Sequence, residues 1–329
     1  MLVSFVQARD HDHIDRAIAY HRADRLHEAL AELDAALAIR DSLQARAART
    51  QVLLSLGRYA EGFAEFQVRW QMYAHIVTAA DRALLESWPR WRGEDLAGKR
   101  IVLVHEQGFG DTIMMLRFVP QLQAMGADVA LVLPPPLQRL AAQLAPVVEH
   151  VARADFVLPI FDLPMVLGIS PASVPPPPYL RAEPLVTRDD LTPRRIGIAW
   201  STSSVKMPND VGRDIDLGLL RQWLTRDGAE LVSLQTHDRD TAQQHDIIAP
   251  RYGDFGEVAA VISVCDAVVC IDTAALHLAG ALGHPKVYAL LPFVCSWRWR
   301  NGNPWYPRIS LCRQTAPDHW PSALAQIKP

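Results

Sequence analysis

The sequence predicts an α/β protein: two lobes of alternating strands and helices, preceded by a small all-α region. Three observations carry that reading. Residues 10–72 contain no proline and are rich in Ala, Leu, Glu, Arg and Gln, the stronger helix formers. From residue 99 short apolar runs alternate with helical stretches, the pattern of a parallel sheet. The alternation stops at the prolines of 175–178 and then begins again, as expected where an extended segment joins two lobes. The divisions expected are a helical region over 1–75, a linker over 76–98, a first lobe over 99–185 and a second over 186–329.

Within the helical region, Asp24-Arg-Leu26-His-Glu-Ala29 repeats as Gly57-Arg-Tyr59-Ala-Glu-Gly62, an offset of 33 residues. Each copy has a turn residue, a bulky apolar residue two later and a small residue three after that. The offset is close to the tetratricopeptide period of about 34. Leu26, Leu30, Leu33 and Leu37, then Tyr59, Phe63 and Phe66, recur at helical spacing. Small residues at Ala29 and Gly62 let the helices of a hairpin approach closely. A generic helical bundle is the alternative reading.

Trp88-Pro89-Arg90-Trp91-Arg92-Gly93 breaks the helical pattern. Beyond it Lys99–Val104 reads as a buried strand, Asp111–Met125 as a helix, and Asp128–Leu133 as a second strand stopped by Pro134, Pro135 and Pro136. After the second proline run, Ile196–Trp200, Glu230–Leu234, Ala267–Ile271 and Val287–Leu291 read as strands, with helices over Asp254–Val264 and Ala274–Leu282. In such sheets ligands bind at the carboxyl ends of the strands.

Composition removes several functions. The chain has 329 residues, half of them hydrophobic and 21% charged, an ordinary globular balance. Thirty-three basic against thirty-six acidic side chains give a net charge of −3, which argues against a dedicated nucleic-acid binder. No apolar run approaches the ~18–20 residues that span a bilayer, and the N-terminus lacks the pattern of a signal peptide. Four scattered cysteines, Cys265, Cys270, Cys295 and Cys312, form no disulfide framework and no CxxC, so a reducing, cytoplasmic setting is expected. His11 and His13 lack an evident third ligand, and no metal site is expected.

Chemistry concentrates at three strand ends. Glu106-Gln107-Gly108-Phe109-Gly110-Asp111-Thr112 follows the first strand; its glycines permit a tight turn and close approach of a ligand, but it is neither GxGxxG nor a P-loop. Asp111 there suits helix capping on spacing alone. Asp272-Thr273-Ala274-Ala275-Leu276-His277 runs from a strand into a helix, so the N–H groups of Thr273, Ala274 and Ala275 face the strand ends and suit a phosphate. A capped helix with a core histidine fits that stretch equally. The loop after Trp200 carries Lys206 and Arg213, either of which can neutralise a diphosphate. Trp297, Trp299, Trp305 and Tyr306 offer rings that stack on a base or sugar, or that pack beneath a loop.

Together these stretches resemble glycosyltransferase family 9, the heptosyltransferase-like enzymes, and above all the bacterial members with tetratricopeptide repeats in front. The resemblance rests on Glu106–Thr112 with Phe118-Val-Pro120, Gly197-Ile-Ala-Trp200-Ser201, Asn209-Asp210 with Arg213, Ser233-Leu-Gln235, Asp272-Thr273 with His277–Gly283, and Trp305-Tyr-Pro307. It runs from about Trp88 to His319. It implies a GT-B fold of two Rossmann-like lobes and an inverting, metal-independent transfer of a sugar from a nucleotide-diphosphate sugar, with no other cofactor. In that pattern Asp111 is the base, on an acceptor-side loop with Gln107, Gly108, Gly110 and Thr112. Trp200, Gln235 and His277 line the donor pocket, the Asp272–Ala275 turn holds the diphosphate, and Lys206 or Arg213 stabilises the leaving group. The acceptor implied is a glycan, a glycolipid or a protein hydroxyl, reached from the cytoplasm or at the inner membrane face. The N-terminal helices offer a surface for a protein partner. The reading from another class is a non-catalytic scaffold whose two-lobed domain is degenerate; retention of Asp111 and the Asp272 turn favours the enzyme. A two-lobed nucleotide-sugar epimerase lacks identifiable paired acids and histidines.

Overall fold

A computed structural model describes residues 2–72, 77–183, 194–202, 212–226 and 228–328, with backbone alone for 2–9. Helices come first: α1 (Leu2–Arg22), α2 (Leu26–Ile39), α3 (Leu43–Ser55), α4 (Tyr59–Glu65), α5 (Arg69–Met72) and α6 (Ala79–Ser87). Next are β1 (Arg100–Val104), α7 (Phe109–Met115), α8 (Val119–Ala124), β2 (Asp128–Val132), α9 (Pro135–Ala141), β3 (Phe156–Pro159) and α10 (Leu163–Val166). The second alternation runs β4 (Arg195–Ala199), α11 (Leu217–Leu224), β5 (Glu230–Ser233), α12 (Arg239–Gln244), α13 (Phe255–Ser263) and β6 (Ala267–Ile271). It ends with α14 (Ala274–Ala281), β7 (Val287–Leu291), β8 (Ser310–Arg313) and α15 (Trp320–Leu324).

The chain divides into two compact units. The first holds Met1–Ala83 together with Asp162–Val174 and Val294–Trp305, so the helices take in two segments from far along the sequence. Its hairpins show why the 33-residue repeat exists. Asp24 and Gly57 both turn through the left-handed region, at φ 62° and 76°. Arg25 N–H bonds the Tyr20 carbonyl as Arg58 N–H bonds Leu53, so α1 and α3 end in the same way. A Cβ on Gly62 would meet Leu54 Cδ2 at 2.6 Å, which explains the small residue there. Consecutive residues of one loop close both turns: Arg300 Nη2 donates to Asp24 Oδ1 (2.6 Å) and Asn301 Nδ2 to the Ser55 carbonyl (3.1 Å). Trp297 packs edge-on with Tyr59, Phe63 and Trp305, Trp305 lies at a tilt to Tyr59 (32°), and Trp305 Nε1 donates to the Tyr59 hydroxyl (2.9 Å). These tryptophans are therefore core rings of the helical unit, the packing alternative of the two that their sequence allowed.

The second unit contains two parallel sheets. The first is ordered β2-β1-β3 and the second β5-β4-β6-β7-β8. Their strands read as unbroken apolar runs because helices cover both faces: β6 and β7 are buried at every residue. This is the pair of Rossmann-like lobes that the sequence predicts. In each lobe the chain reverses its direction of travel across the sheet beside the first strand. Those switch points lie between β1 and β3 and between β4 and β6, and in sheets of this kind ligands bind there.

Four elements differ from the reading by pattern. The helix expected over Asp111–Met125 is broken into α7, a 3-10 turn over Leu116–Phe118 and α8, because Pro120 has no N–H to continue the ladder. Pro134–Pro136 end a strand as expected but also open α9, with Pro135 at its first position. β3 and β8 are too short and too mixed to stand out. The segment after the second proline run is pinned, since Tyr179 and Leu180 N–H both reach the Ala281 carbonyl (3.1 and 3.3 Å).

Candidate functional site

β1 ends at Val104, and the chain turns through Gln107, whose φ of 63° is unusual for a residue with a side chain. Gly108 then caps α7, and its N–H bonds Asp111 Oδ2 at 3.2 Å. The aspartate thus serves the helix end that its spacing suggested. Thr112 is fully buried, and its hydroxyl lies 2.7 Å from His105 Nδ1.

At the end of β6 the chain enters α14 through Thr273, whose extended backbone leaves the N–H groups of Ala274 and Ala275 without intrahelical acceptors. Arg213 comes to this turn. Its Nη2 donates to the Asp272 carbonyl and stands 3.9 Å from the Asp272 carboxylate. His277, one turn into α14, is 4% exposed; Nε2 lies 3.6 Å from Asp272 Oδ1 and Nδ1 lies 3.2 Å from the Tyr306 hydroxyl.

The two turns adjoin. A Cβ on Gly110 would meet His277 Cδ2 at 2.8 Å and Ala274 Cα at 3.3 Å, so the bare backbone of α7 lies against the first turn of α14. Asp111 therefore follows immediately on a residue that touches the Asp272 turn. Around this junction the lobes are also joined by Phe109 packing edge-on to Phe255 (5.4 Å) and by Arg139 donating Nε and Nη2 to the two carboxylate oxygens of Asp254 (2.8 Å each). The Arg139 hydrogen bonds hold the Asp254 carboxyl below its ordinary range.

Gln235 joins two strand ends. Its carbonyl oxygen accepts the N–H groups of Trp200 (2.7 Å) and Ser201 (2.8 Å), and its amide donates to Ser201 Oγ (3.0 Å). It clamps the end of β4 to the end of β5. Trp200 is 4% exposed and belongs to the core of that lobe. Lys206, Asn209 and Asp210 lie outside the described residues.

Sequence reasoning missed a buried polar network beneath the junction. Arg117, 2% exposed, donates Nη1 to the Pro175 carbonyl (3.0 Å) and Nη2 to the Tyr179 hydroxyl (3.3 Å). Its guanidinium lies 4.8 Å from the ring centres of both Tyr179 and Tyr306. The Tyr179 and Tyr306 hydroxyls are 3.2 Å apart. Burial pushes the Tyr306 phenol well above its ordinary pKa. The signal was present: an arginine between Leu116 and Phe118 in an otherwise apolar stretch has to find partners inside the fold.

The model of glycosyltransferase family 9 (heptosyltransferase) matches residues 227–290, the stretch with Gln235, the Asp272 turn and His277. Protein FlbA of Caulobacter vibrioides is 27% identical over 346 residues; the match takes in 90% of this chain, which spans 56% of that relative's length. Among solved structures, the glycosyl transferase family 9 from Veillonella parvula gives a TM-score of 0.49 at 14% identity over 68% of this chain and 88% of its own. The E. coli ADP-heptose lps heptosyltransferase II gives 0.46 at 15% over 69% and 97%. At such overlap they add nothing to the argument from the residues. The likeness to glycosyltransferase family 9 thus rests on the stretch that holds the Asp272 turn.

Proposed function

We propose that the chain is an inverting glycosyltransferase that moves a sugar from a nucleotide-diphosphate sugar to a hydroxyl of a glycan, a glycolipid or a protein. The observation that carries the reading is the contact of Gly110 with Ala274 and His277. Because Asp111 follows Gly110 in the chain, the contact supports a carboxylate acting next to a turn suited to a diphosphate, as a one-step displacement needs. Asp111 takes the proton of the acceptor hydroxyl while that oxygen attacks the anomeric carbon. The bond from that carbon to the diphosphate oxygen breaks, and its electron pair leaves with the nucleotide. The N–H groups at the start of α14 receive the negative charge that develops there. Arg213, already at the Asp272 carbonyl, or Lys206 adds a positive charge, so the proposal calls for no metal and no cofactor beyond the donor.

In this reading Thr273, Ala274 and Ala275 hold the diphosphate and His277 braces them. Trp200 and Gln235 act indirectly, by fixing the β4 end from which the Arg213 loop departs. Gln107, Gly108, Gly110 and Thr112 shape the acceptor side. The reaction belongs in the cytoplasm, or at the inner face of the membrane where the acceptor is a glycolipid. Among the described residues no helix is long and apolar enough to cross a membrane. The hairpins of the helical unit are read as tetratricopeptide-like and available to a protein partner.

Calorimetric titration with ADP, GDP, UDP and CDP tests this. One nucleotide should bind clearly better than the rest. Binding of none by folded protein would overturn the transferase and favour the scaffold.

A further inference from the structure

The polar contacts beneath the Asp272 turn have a direction, and their two ends set it. At one end is the buried Arg117. A guanidinium carries five N–H donors, has no acceptor and keeps its proton. Nε donates to the Met114 carbonyl (2.8 Å), Nη1 to the Pro175 carbonyl (3.0 Å) and Nη2 to the Tyr179 hydroxyl (3.3 Å). The Tyr306 hydroxyl takes a further bond from the same group. At the other end is Asp272, whose carboxylate only accepts. It stands 3.6 Å from His277 Nε2 and 3.9 Å from Arg213 Nη2.

Between these ends each phenol has one hydrogen to give. Both phenol oxygens accept from Arg117, so both hydrogens point away from the guanidinium. That of Tyr179 goes to the Ile113 carbonyl (3.0 Å), which cannot donate. That of Tyr306 has the Tyr179 oxygen and His277 Nδ1 within reach, each at 3.2 Å. The histidine decides between them. An imidazole with a single ring hydrogen keeps a lone pair on its other nitrogen. A hydrogen on Nδ1 would turn the Nε2 lone pair towards the Asp272 carboxylate, in a buried place where such repulsion is weakly screened. A hydrogen on Nε2 faces the carboxylate and leaves Nδ1 to receive the Tyr306 hydrogen. The second arrangement gives each of these buried groups a complementary neighbour.

The carboxylate so held is one that the diphosphate has to contend with. An aspartate just before a helix readily accepts from its first N–H groups. Thr273, the residue that opens α14, gives no side-chain cap and turns its hydroxyl to the Ile271 carbonyl (3.2 Å). An acceptor drawn sideways to His277 and Arg213 leaves those N–H groups to an incoming phosphate.

We propose that Arg117 and Tyr306 are positioning residues that hold His277 with its ring hydrogen on Nε2, and that His277 thereby draws the Asp272 carboxylate away from the N–H groups of α14. The hydrogens run from Arg117 through Tyr306 to Nδ1, and from Nε2 towards Asp272. The role at the diphosphate rests on the glycosyl-transfer reading, whereas the placing of the ring hydrogen does not.

The test is long-range nitrogen–proton NMR on the full chain with labelled histidine, at about pH 8, where an ordinary imidazole carries one ring hydrogen. His277→Gln assigns the signal among the twelve histidines. Calorimetry with ADP, GDP, UDP and CDP is run on the same samples. Wild type should show the hydrogen on Nε2. Tyr306→Phe removes the donor to Nδ1, so that nitrogen's resonance should move to the position of an unbonded one, and Arg117→Met should move it the same way. Tyr306→Phe should also weaken the preferred nucleotide about fivefold. In an Asp272→Ala background, with no carboxylate to compete, Tyr306→Phe should cost no affinity. The proposal is overturned if wild type carries the hydrogen on Nδ1, a result that needs no variant to fold. It is also overturned if the Nδ1 resonance stays put in Tyr306→Phe, or if the fivefold loss is the same with and without Asp272. Binding of no nucleotide by wild-type protein instead sinks the transferase reading, and the spectrum still decides the hydrogen's place.

Discussion

His277 and Tyr306 hold one another: imidazole Nδ1 lies 3.2 Å from the phenol oxygen, and the rings meet at 60° with centres 5.5 Å apart. The other ring nitrogen of His277 faces the Asp272 carboxylate at 3.6 Å. The phenol is in turn 3.2 Å from the Tyr179 hydroxyl, which donates to the Ile113 carbonyl on α7 (3.0 Å). One chain of polar contacts therefore runs from the Asp272 turn to the helix that begins with Phe109. The histidine is more than a buried ring, because it fixes the turn proposed to take the diphosphate relative to the helix that carries Asp111.

Tyr306→Phe tests that chain with little change of volume. Losing the hydroxyl should cost about 1 kcal/mol of unfolding free energy, more if Tyr179 and His277 find no replacement partner. Urea unfolding measures the cost. The same variant should bind the preferred nucleotide more weakly, and the nitrogen NMR shifts of His277 should move. Unchanged shifts and affinity would show that the phenol does not position the imidazole.

Gly280 presents the opposite side of Tyr306. A Cβ there would stand 2.4 Å from Tyr306 Cδ1 and 2.7 Å from Cε1, far inside contact distance with a ring that is itself buried. Alanine ordinarily stabilises a helix relative to glycine by about 1 kcal/mol. Here Gly280→Ala should instead destabilise by about 1–3 kcal/mol through overpacking. A thermal melt decides between the two signs.

Much of this architecture was legible in the chain, for physical reasons that also mark the limits. Asp24 and Gly57 betray the hairpins because a left-handed turn followed by an apolar, then a small residue is a local requirement. Strands β1, β4, β6 and β7 are visible because burial on both faces demands unbroken apolar runs. The Asp272 turn and Asp111 can be found because each sits where a strand becomes a helix. What cannot be read is partnership at a distance. Gln235 bonds backbone groups 34 and 35 residues away, so a clamp and a pocket residue look alike in sequence. Trp305 answers Tyr59 across 246 residues, and nothing near it distinguishes a core ring from a sugar platform. The ring that is exposed beside Asp111 is Phe109, which drew no notice inside a glycine-rich turn.

Alkaline pH should weaken the fold. Burial raises the pKa of Tyr306, Tyr252 and Cys270, and pushes the Cys312 thiol up to about 11. Each group binds its proton more tightly folded than unfolded, so its contribution is complete below the unfolded pKa and is lost as pH rises towards the folded one. The decline should begin near about pH 8.5 with the thiols and steepen near about pH 10 with the phenols, at about 1.4 kcal/mol per unit of pKa difference. Urea midpoints measured under reducing conditions from about pH 8 to about pH 10 should fall throughout. A flat profile would mean that these groups are wetter than the structure shows.

In the helical unit, Arg69 and Asp162 form a buried ion pair at 2.6 Å, 2% and 4% exposed, and Gln67 adds a second donor to the same carboxylate oxygen (2.8 Å). Asp162→Ala leaves a guanidinium without its carboxylate and should cost about 3–5 kcal/mol. Replacing both partners, Arg69→Met with Asp162→Leu, should recover most of that loss. If the single variant melts like wild type, the segment over 162–174 is not held by this pair.

Asp111 has one duty on view, the cap, and one proposed for it, the base, and substitutions can separate them. As a cap it needs only an oxygen to accept the Gly108 N–H at 3.2 Å. As a base it needs a carboxylate. Asp111→Asn keeps an acceptor oxygen in place, so stability should stay near wild type while transfer falls by about 10²–10⁴-fold. Asp111→Ala removes both and should lose about 1 kcal/mol of stability along with the same activity. Nucleotide affinity should survive in each, because in the proposed reaction the carboxylate acts on the acceptor and the diphosphate is held from α14. Urea unfolding, calorimetry and turnover on the same preparations separate the cases. An asparagine variant that retains transfer would confine Asp111 to its cap and require the base to be sought among the other groups at this junction.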